Sequence, residues 1–271
     1  MNLADLLPQI EHIARQSGDL INKIYLGGKF EQHIKADNTP VTSADYAAHE
    51  FIIKALTDLT PDIPVLSEED CDIPLSIRSV WPAYWLVDPL DGTQEFVAKS
   101  GDFSTSIALI QDHKPVLGVI YAPVHNLLYS AIDGQGASKV LNGQRSQIAI
   151  NKHSKPSPTK MVIAMSRVQK TQWITDLLTA NIQYEFVVLG SSTLKSCLVA
   201  EGGADCYIRV GPTGEWDTGA AQCILTEAGG KILDLTLTPL SYNQRESLEN
   251  PNFISLGDPN LDWQAILTSH N

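Results

Sequence analysis

Apolar residues recur at helical spacing from the start of the chain. Leu3, Leu6, Leu7, Ile10, Ile13 and Ala14, then Ile21 and Ile24, predict an opening amphipathic helix. After the polar stretch KADNTPVTSAD, a second helix is predicted by Ala44, Ala47, Ala48, Phe51, Ile52, Ala55, Leu56 and Leu59. Thr42 or Ser43 is placed to cap it, and Pro61 lies just past its end. The period then shortens. IPVLSEED and YWLVD read as strands that run into acids. From Phe103 to Ile150 the runs FSTSIALI, PVLGVIYA, LLYSAI and RSQIAI are separated by the turn signals QDHK, DGQG and NG, a texture that predicts an antiparallel meander. NKHSKPSPTK is the most linker-like stretch, which suggests an N-terminal half, 1–150, and a C-terminal half, 151–271. Beyond it the strand-like MVIAMS, YEFVVLG, CYIRV and KILDL alternate with the helix-like TQWITDLLTA, STLKSCLVAEGG and WDTGAAQCILTEAGG, the last stopping at Gly229-Gly230. The expected class is α/β or α+β, with a β-rich patch in the middle.

Composition narrows the function more than the fold. The 271 residues can bury a substantial core, and 31 acidic against 19 basic side chains leave a formal net charge of -12. That balance disfavours a sequence-independent grip on nucleic acid or anionic lipid. It leaves room for a small phosphorylated substrate, because a bound divalent cation reverses the local field. Cys71, Cys197, Cys206 and Cys223 form no C-x-x-C pair, and scattered thiols suit a reducing compartment. Asp5, Glu11 and Asp19 interrupt the apolar residues of the first segment, which lacks the basic start of a signal peptide. No run of about 18 apolar residues occurs, so no transmembrane segment is expected. The expected location is the cytoplasm.

Candidate chemistry concentrates in YWLVDPLDGTQEF. Pro89 removes a backbone donor and disfavours a helix at Asp88, so the strand must leave in a turn. Such a turn can fold the Asp88 and Asp91 carboxylates and the Leu90 carbonyl around one point, an oxygen set that suits magnesium. Gly92 allows close backbone approach, and a helix opening at GTQEF would aim its first amides at an anion. A lone D-x-x-D more often caps a turn; here the apolar lead-in, the proline and the further acids favour a cation site. The spacing is one residue too long for the D-x-D of a haloacid-dehalogenase nucleophile. EF-hand, G-x-S-x-G, H-E-x-x-H and P-loop patterns are absent, and the seven histidines are scattered.

SEED, DPLDGTQEF and GEWDTGAA resemble, in order, the acidic motifs of the inositol monophosphatase superfamily of magnesium-dependent, lithium-sensitive phosphatases. KADNTPVTSADYAAH, VLSEED, GVIYAPV, GSSTLKSCLVAEG and RVGPTGEWDT are similar to its 3′(2′),5′-bisphosphate nucleotidase branch. The resemblance implies a layered α/β/α/β/α sandwich and two or more magnesium ions per active site. It assigns Glu68, Asp88 and the Leu90 carbonyl, helped by the Thr93 hydroxyl, to one ion, and Asp88, Asp91 and Asp217 to a second. Glu68, Asp45 and Thr93 would orient the attacking water. Gly92, Thr93, Gly190, Ser191, Ser192, Lys195 and Arg209 complete the expected substrate contacts, and Lys35 and Asp37 gain interest only from this context.

The implied reaction is hydrolysis of the 3′-phosphate of adenosine 3′,5′-bisphosphate to AMP and phosphate, in sulfur assimilation. The implied partner is a phosphorylated nucleotide, with no nucleic acid polymer. A remote second phosphate needs its own cations, and Lys195 and Arg209 are the candidates, Lys195 standing against the plain alternative of a solvated helix face. Two other readings stay open: an inositol phosphatase, and a silent metal or nucleotide sensor on the same fold. Some relatives of this branch are placed at the cytoplasmic face of the inner membrane; the acidity of this chain argues against direct lipid contact.

Overall fold

The computed structural model describes residues 2–35 and 40–268. A long helix α1 (Leu3–Gly27) precedes a small hairpin, β1 (Gln32–Ile34) with β2 (Pro40–Thr42), and helix α2 (Ser43–Leu59). Strand β3 (Val65–Ser67), a helical turn α3 (Leu75–Arg78), β4 (Ala83–Asp91) and the short helix α4 (Thr93–Val97) follow. The meander is β5 (Ser104–Gln111), β6 (Lys114–Ala122), β7 (Leu127–Ile132), β8 (Ala137–Leu141) and β9 (Gln144–Ile148). The rest runs β10 (Lys160–Met165), α5 (Thr171–Thr175), β11 (Gln183–Val188), α6 (Ser192–Ala200), β12 (Cys206–Arg209) and a 3-10 turn at Glu215–Asp217. Helix α7 (Gly219–Glu227), β13 (Lys231–Asp234), β14 (Phe253–Leu256) and α8 (Trp263–Ile266) complete it.

The larger sheet is seven-stranded, in the order β3-β4-β5-β6-β7-β8-β9, antiparallel except where β3 lies parallel to β4. The second is five-stranded, in the order β11-β10-β12-β14-β13, with β14 antiparallel to both neighbours. Side-chain alternation along β4 builds two cores at once. Trp85 and Val87 face Ile10, Ile52 and Leu56 of α1 and α2, while Tyr84 and Leu86 face the core containing Leu194, Cys197, Ala220 and Ile224 of α6 and α7. Tyr207 and Phe253 of the second sheet enter that same inner core. On the sheet's outer face Ile163, Ile208 and Ile254 pack with Ile174, Trp263 and Ile266 of α5 and α8. The layers are helix, sheet, helix, sheet, helix, the sandwich that the acidic motifs imply.

Helix α7 lies directly on the large sheet. A Cβ on Gly118 of β6 would stand 2.6 Å from the Ala220 carbonyl, and one on Gly219 would stand 2.9 Å from Leu86 Cδ2. Glycine at 219 therefore serves close packing. Thr42 is the cap of α2, with Asp45 closing a capping box.

Two elements depart from the periodicity. The helix read over TQWITDLLTA ends at Thr175, because Leu178 turns away to bridge Leu267 and the Thr179 amide donates to Ile266 O. Strand β14 has no counterpart in the sequence reading: it is a short apolar run without alternation, buried on both faces. Residues 151–159 carry no helix or strand, yet Asn151 Nδ2 and His153 Nε2 sit 3.0 and 2.8 Å from Asp205 Oδ1. No described helix is long and apolar enough to cross a membrane.

Candidate active site

Strand β4 carries its apolar residues through the core and delivers acid at its end. The pairing register with β5 shifts between Asp88 and Asp91, where Pro89 offers no donor to the ladder. Asp88 Oδ1 accepts from the Leu90 amide at 3.0 Å, and Thr105 Oγ1 donates to Pro89 O at 3.0 Å. Gly92 follows at φ +93°, a left-handed turn where a Cβ would also crowd Asp102 O at 3.1 Å. The turn is thus held from both sides. Thr93 Oγ1 lies within donating distance of Asp45 Oδ1 (2.9 Å) and Leu90 O (3.3 Å), while Asp45 Oδ2 accepts from the Thr42 amide and hydroxyl at 2.8 and 2.6 Å. Helix α4 is little more than a turn, and its Glu95 and Phe96 amides close onto Gly92 O.

Asp217 arrives from the 3-10 turn before α7, with its Oδ2 accepting from the Gly214 amide at 2.7 Å. Asp88, Asp91 and Asp217 each present a carboxylate oxygen, and these atoms lie within 4.8 Å of one another. Burial first, then the neighbouring acids, holds the Asp88 and Asp217 carboxyls well above the usual range. Glu68 opens onto the same cleft, but its Oε1 accepts from Lys35 Nζ at 2.8 Å, and Lys35 also reaches Glu69 Oε1 at 2.8 Å. Burial pushes the Glu68 carboxyl up to about 7 against the opposing pull of Lys35. Asp37 lies outside the described residues.

Asp91 is also the anchor of helix α6. It accepts from the Ser191 hydroxyl, from the Ser192 amide at 3.2 Å, and from the Thr193 amide and hydroxyl at 2.8 and 2.7 Å. Ser104 Oγ backs this arrangement, 3.1 Å from Ser191 Oγ and 2.7 Å from Thr193 Oγ1. Ser191 itself sits at φ 44°, an uncommon conformation for a residue with a Cβ, held by those bonds. The Gly190 amide donates to Asp102 Oδ2 at 3.1 Å. The amides that the sequence offers to a substrate at Gly190 and Ser192 are therefore engaged by carboxylates of the protein.

Lys195 is no solvated helix face. Only 3% exposed, it folds back so that Nζ donates to the carbonyls of Gly190 and Ser191 at 3.0 and 2.6 Å, over the Tyr207 ring. Burial pushes its ammonium down to about 8. Arg209 Nη2 donates to Pro212 O at 3.0 Å. Lys195, Arg209 and Asp88, Asp91 and Asp217 all line one cleft of about 690 Å³. Ser104, Thr193 and Asp102, which steady this arrangement, carry no motif of their own; Thr193 is betrayed only by its place after Ser191-Ser192. Asp102 is further bound by the Arg167 guanidinium, which also meets Glu95 Oε2 at 3.2 Å.

An all-oxygen set of crowded, largely buried carboxylates fits a hard divalent cation, whose charge would allow all of them to ionise together. Comparison with known proteins places the chain in a family. The chain is 45% identical to the 3′(2′),5′-bisphosphate nucleotidase CysQ of Aggregatibacter actinomycetemcomitans, over 98% of this chain and 97% of that protein. It is 45% identical to the protein of the same name from Escherichia coli K12, over 92% of this chain and 98% of the relative. The crystal structure of CysQ from Bacteroides thetaiotaomicron, described as a bacterial member of the inositol monophosphatase family, superposes with a TM-score of 0.80 at 36% identity. That match covers 94% of this chain and 99% of the other. With the inositol monophosphatase family matching residues 2–262, the chain belongs to that family.

Proposed function

We propose that this protein is a magnesium-dependent 3′(2′),5′-bisphosphate nucleotidase that hydrolyses the 3′-phosphate of adenosine 3′,5′-bisphosphate to give AMP and phosphate. One observation carries the reading: carboxylates from distant parts of the chain, Asp88, Asp91 and Asp217, converge within 4.8 Å in a cleft that also contains Lys195 and Arg209. The near full-length identity to nucleotidases supports this branch of the family over an inositol phosphatase.

Asp88, Asp91 and Asp217 would hold one magnesium ion; Glu68 and the Leu90 carbonyl would join Asp88 in holding another, Glu68 exchanging Lys35 for it. Bound there, magnesium supplies Lewis acidity and a sink for the charge of an in-line displacement. Thr93 and Glu68 orient the attacking water. As its oxygen bonds to phosphorus, the bond from phosphorus to the ribose O3′ breaks. Thr93 Oγ1 donates to Asp45 Oδ1 at 2.9 Å, so a proton passed from the water to the Thr93 hydroxyl would have a carboxylate to move toward. The leaving O3′ takes up a proton from solvent as AMP departs, and the proton received by Asp45 returns to solvent. Lys195 and Arg209 supply fixed positive charge for the remaining phosphate, and Gly92 lets the turn beside the reacting phosphate lie close against Asp102 and Phe103. No histidine base is required. The four free cysteines, three of them buried, suit a cytoplasmic enzyme.

Phosphate release from adenosine 3′,5′-bisphosphate and from inositol 1-phosphate, each with magnesium and with or without lithium, tests the proposal. A lithium-inhibited preference for the nucleotide is expected, with AMP as product. A preference for the inositol ester would keep the metal centre and overturn the substrate; metal binding with silence on both would favour the sensor.

A further inference from the structure

A fully buried arginine is costly unless its donors are matched, and Arg78 is 1% exposed. It is matched almost entirely by one distant loop. Arg78 Nη1 donates to Asn243 Oδ1 at 2.7 Å, and Nη2 to the carbonyls of Arg245 and Glu246 at 2.6 and 2.5 Å; Nε turns to Ile73 O at 3.0 Å. The Asn243 side chain returns a bond to Arg78 O at 2.6 Å. From the other side the loop is gripped by Glu215, which is 0% exposed. Its Oε2 accepts from the Asn243 amide at 2.8 Å, and its Oε1 lies 3.4 Å from Arg245 Nη2.

Further along, the loop pairs with the segment that carries Asp217. The Glu215 amide donates to Leu248 O at 2.9 Å and the Asn250 amide to Thr213 O at 2.8 Å. Asn250 Nδ2 donates to Gly214 O at 2.5 Å. Leu248 and Trp216 are both partly buried against the inner core and both line the cleft that holds the acids. The Trp216 indole lies on the backbone of Gly214, where a Cβ would come within 2.2 Å of Cε2. Its place is set by packing.

Carboxylates and cations account for a substrate's phosphates, but neither recognises a flat uncharged ring. Partly buried apolar side chains on a rigid wall do. Resting on the nucleotidase reading above, we infer that the loop Asn243–Asn250 is the base-selecting wall of the cleft. Leu248 and Trp216 are the surfaces that a nucleobase meets, and Arg78 and Glu215 are the buried positioning residues that hold the wall in register with Asp217. The pair acts on substrate choice through the loop, without touching the reacting phosphate.

The test compares adenosine 3′,5′-bisphosphate with its abasic analogue, 1-deoxyribose 3,5-bisphosphate, in kcat and KM, alongside thermal melting. Wild type is expected to favour the nucleotide through KM. Leu248→Ala is expected to raise KM for the nucleotide about fivefold or more while shifting KM for the abasic compound less than about twofold. Arg78→Lys is expected to reproduce the same split, since it shortens the side chain and removes the fork that holds the loop. Equal KM changes on both substrates for Leu248→Ala would overturn the inference. For Arg78→Lys, lowered melting with both KM values unchanged would reduce the residue to a stabilising role and remove it from the positioning pair. A wild type that handles both compounds alike would overturn base selection while leaving the nucleotidase reading intact. A wild type silent on both bisphosphates but active on inositol 1-phosphate would overturn that reading, and the inference with it.

Discussion

Two acids of this cleft are held in opposite ways. Asp91 is locked by the start of α6, with amides of Ser192 and Thr193 and hydroxyls of Ser191 and Thr193 all directed at it. Glu68 is held chiefly by the ammonium of Lys35, which extends from a hairpin whose strand β1 is exposed throughout. The first carboxylate is oriented by folding itself. The second is balanced by a cation that a metal ion would displace on the proposed reading. On that reading one half of the centre is preorganised, and the other would adapt to the cation that arrives.

The sharpest way to break this contrast is Asp91→Asn. It removes a proposed metal ligand and weakens the anchor of α6. Phosphate release should fall by about a hundredfold or more, and stability by about 1–3 kcal/mol in a denaturant titration. Wild-type-like turnover would sink the assignment. Glu68→Gln should lower turnover about tenfold or more yet leave the melting temperature within about 2 °C, because a partly exposed ion pair contributes little. A melting loss as large as that of Asp91→Asn would erase the distinction.

Lys195 belongs to the locked side, its ammonium pinned on the carbonyls of Gly190 and Ser191. Lys195→Met should raise KM for adenosine 3′,5′-bisphosphate about tenfold and for inositol 1-phosphate less than about threefold. Equal effects would leave the lysine a purely structural role. The smallest effect is expected of Lys35→Gln. Freed from its competitor, Glu68 should bring the magnesium concentration for half-maximal rate down about twofold to threefold. A rise instead would mean that Lys35 assists the site.

Much of this was legible along the chain because it is local. The cap of α2, the meander from β5 to β9 and the acid-bearing turn at Asp88–Asp91 follow from periodicity, from a capping threonine and from the backbone limits of proline and glycine over a few residues. Strand β14 escaped because a short strand buried on both faces carries no alternation. The fate of Lys195 escaped for a related reason. Helical spacing says which residues share a face, but whether that face meets water depends on the Tyr207 ring and the neighbouring sheet.

The sequence by itself determined the kind of chemistry available here: oxygen ligands in a rigid turn, a third acid at a helix start, and family motifs in the matching order. Only the tertiary structure decided that the amides at Gly190 and Ser192 serve carboxylates of the protein, that Lys195 is buried on the carbonyls of Gly190 and Ser191, and that Arg78 grips a loop far along the chain. The physical reason is range. Turn and cap geometry is set by steric limits acting over a few bonds, whereas the meeting of distant segments is set by how two sheets close around α6 and α7, and that depends on the packing of every residue in the inner core at once.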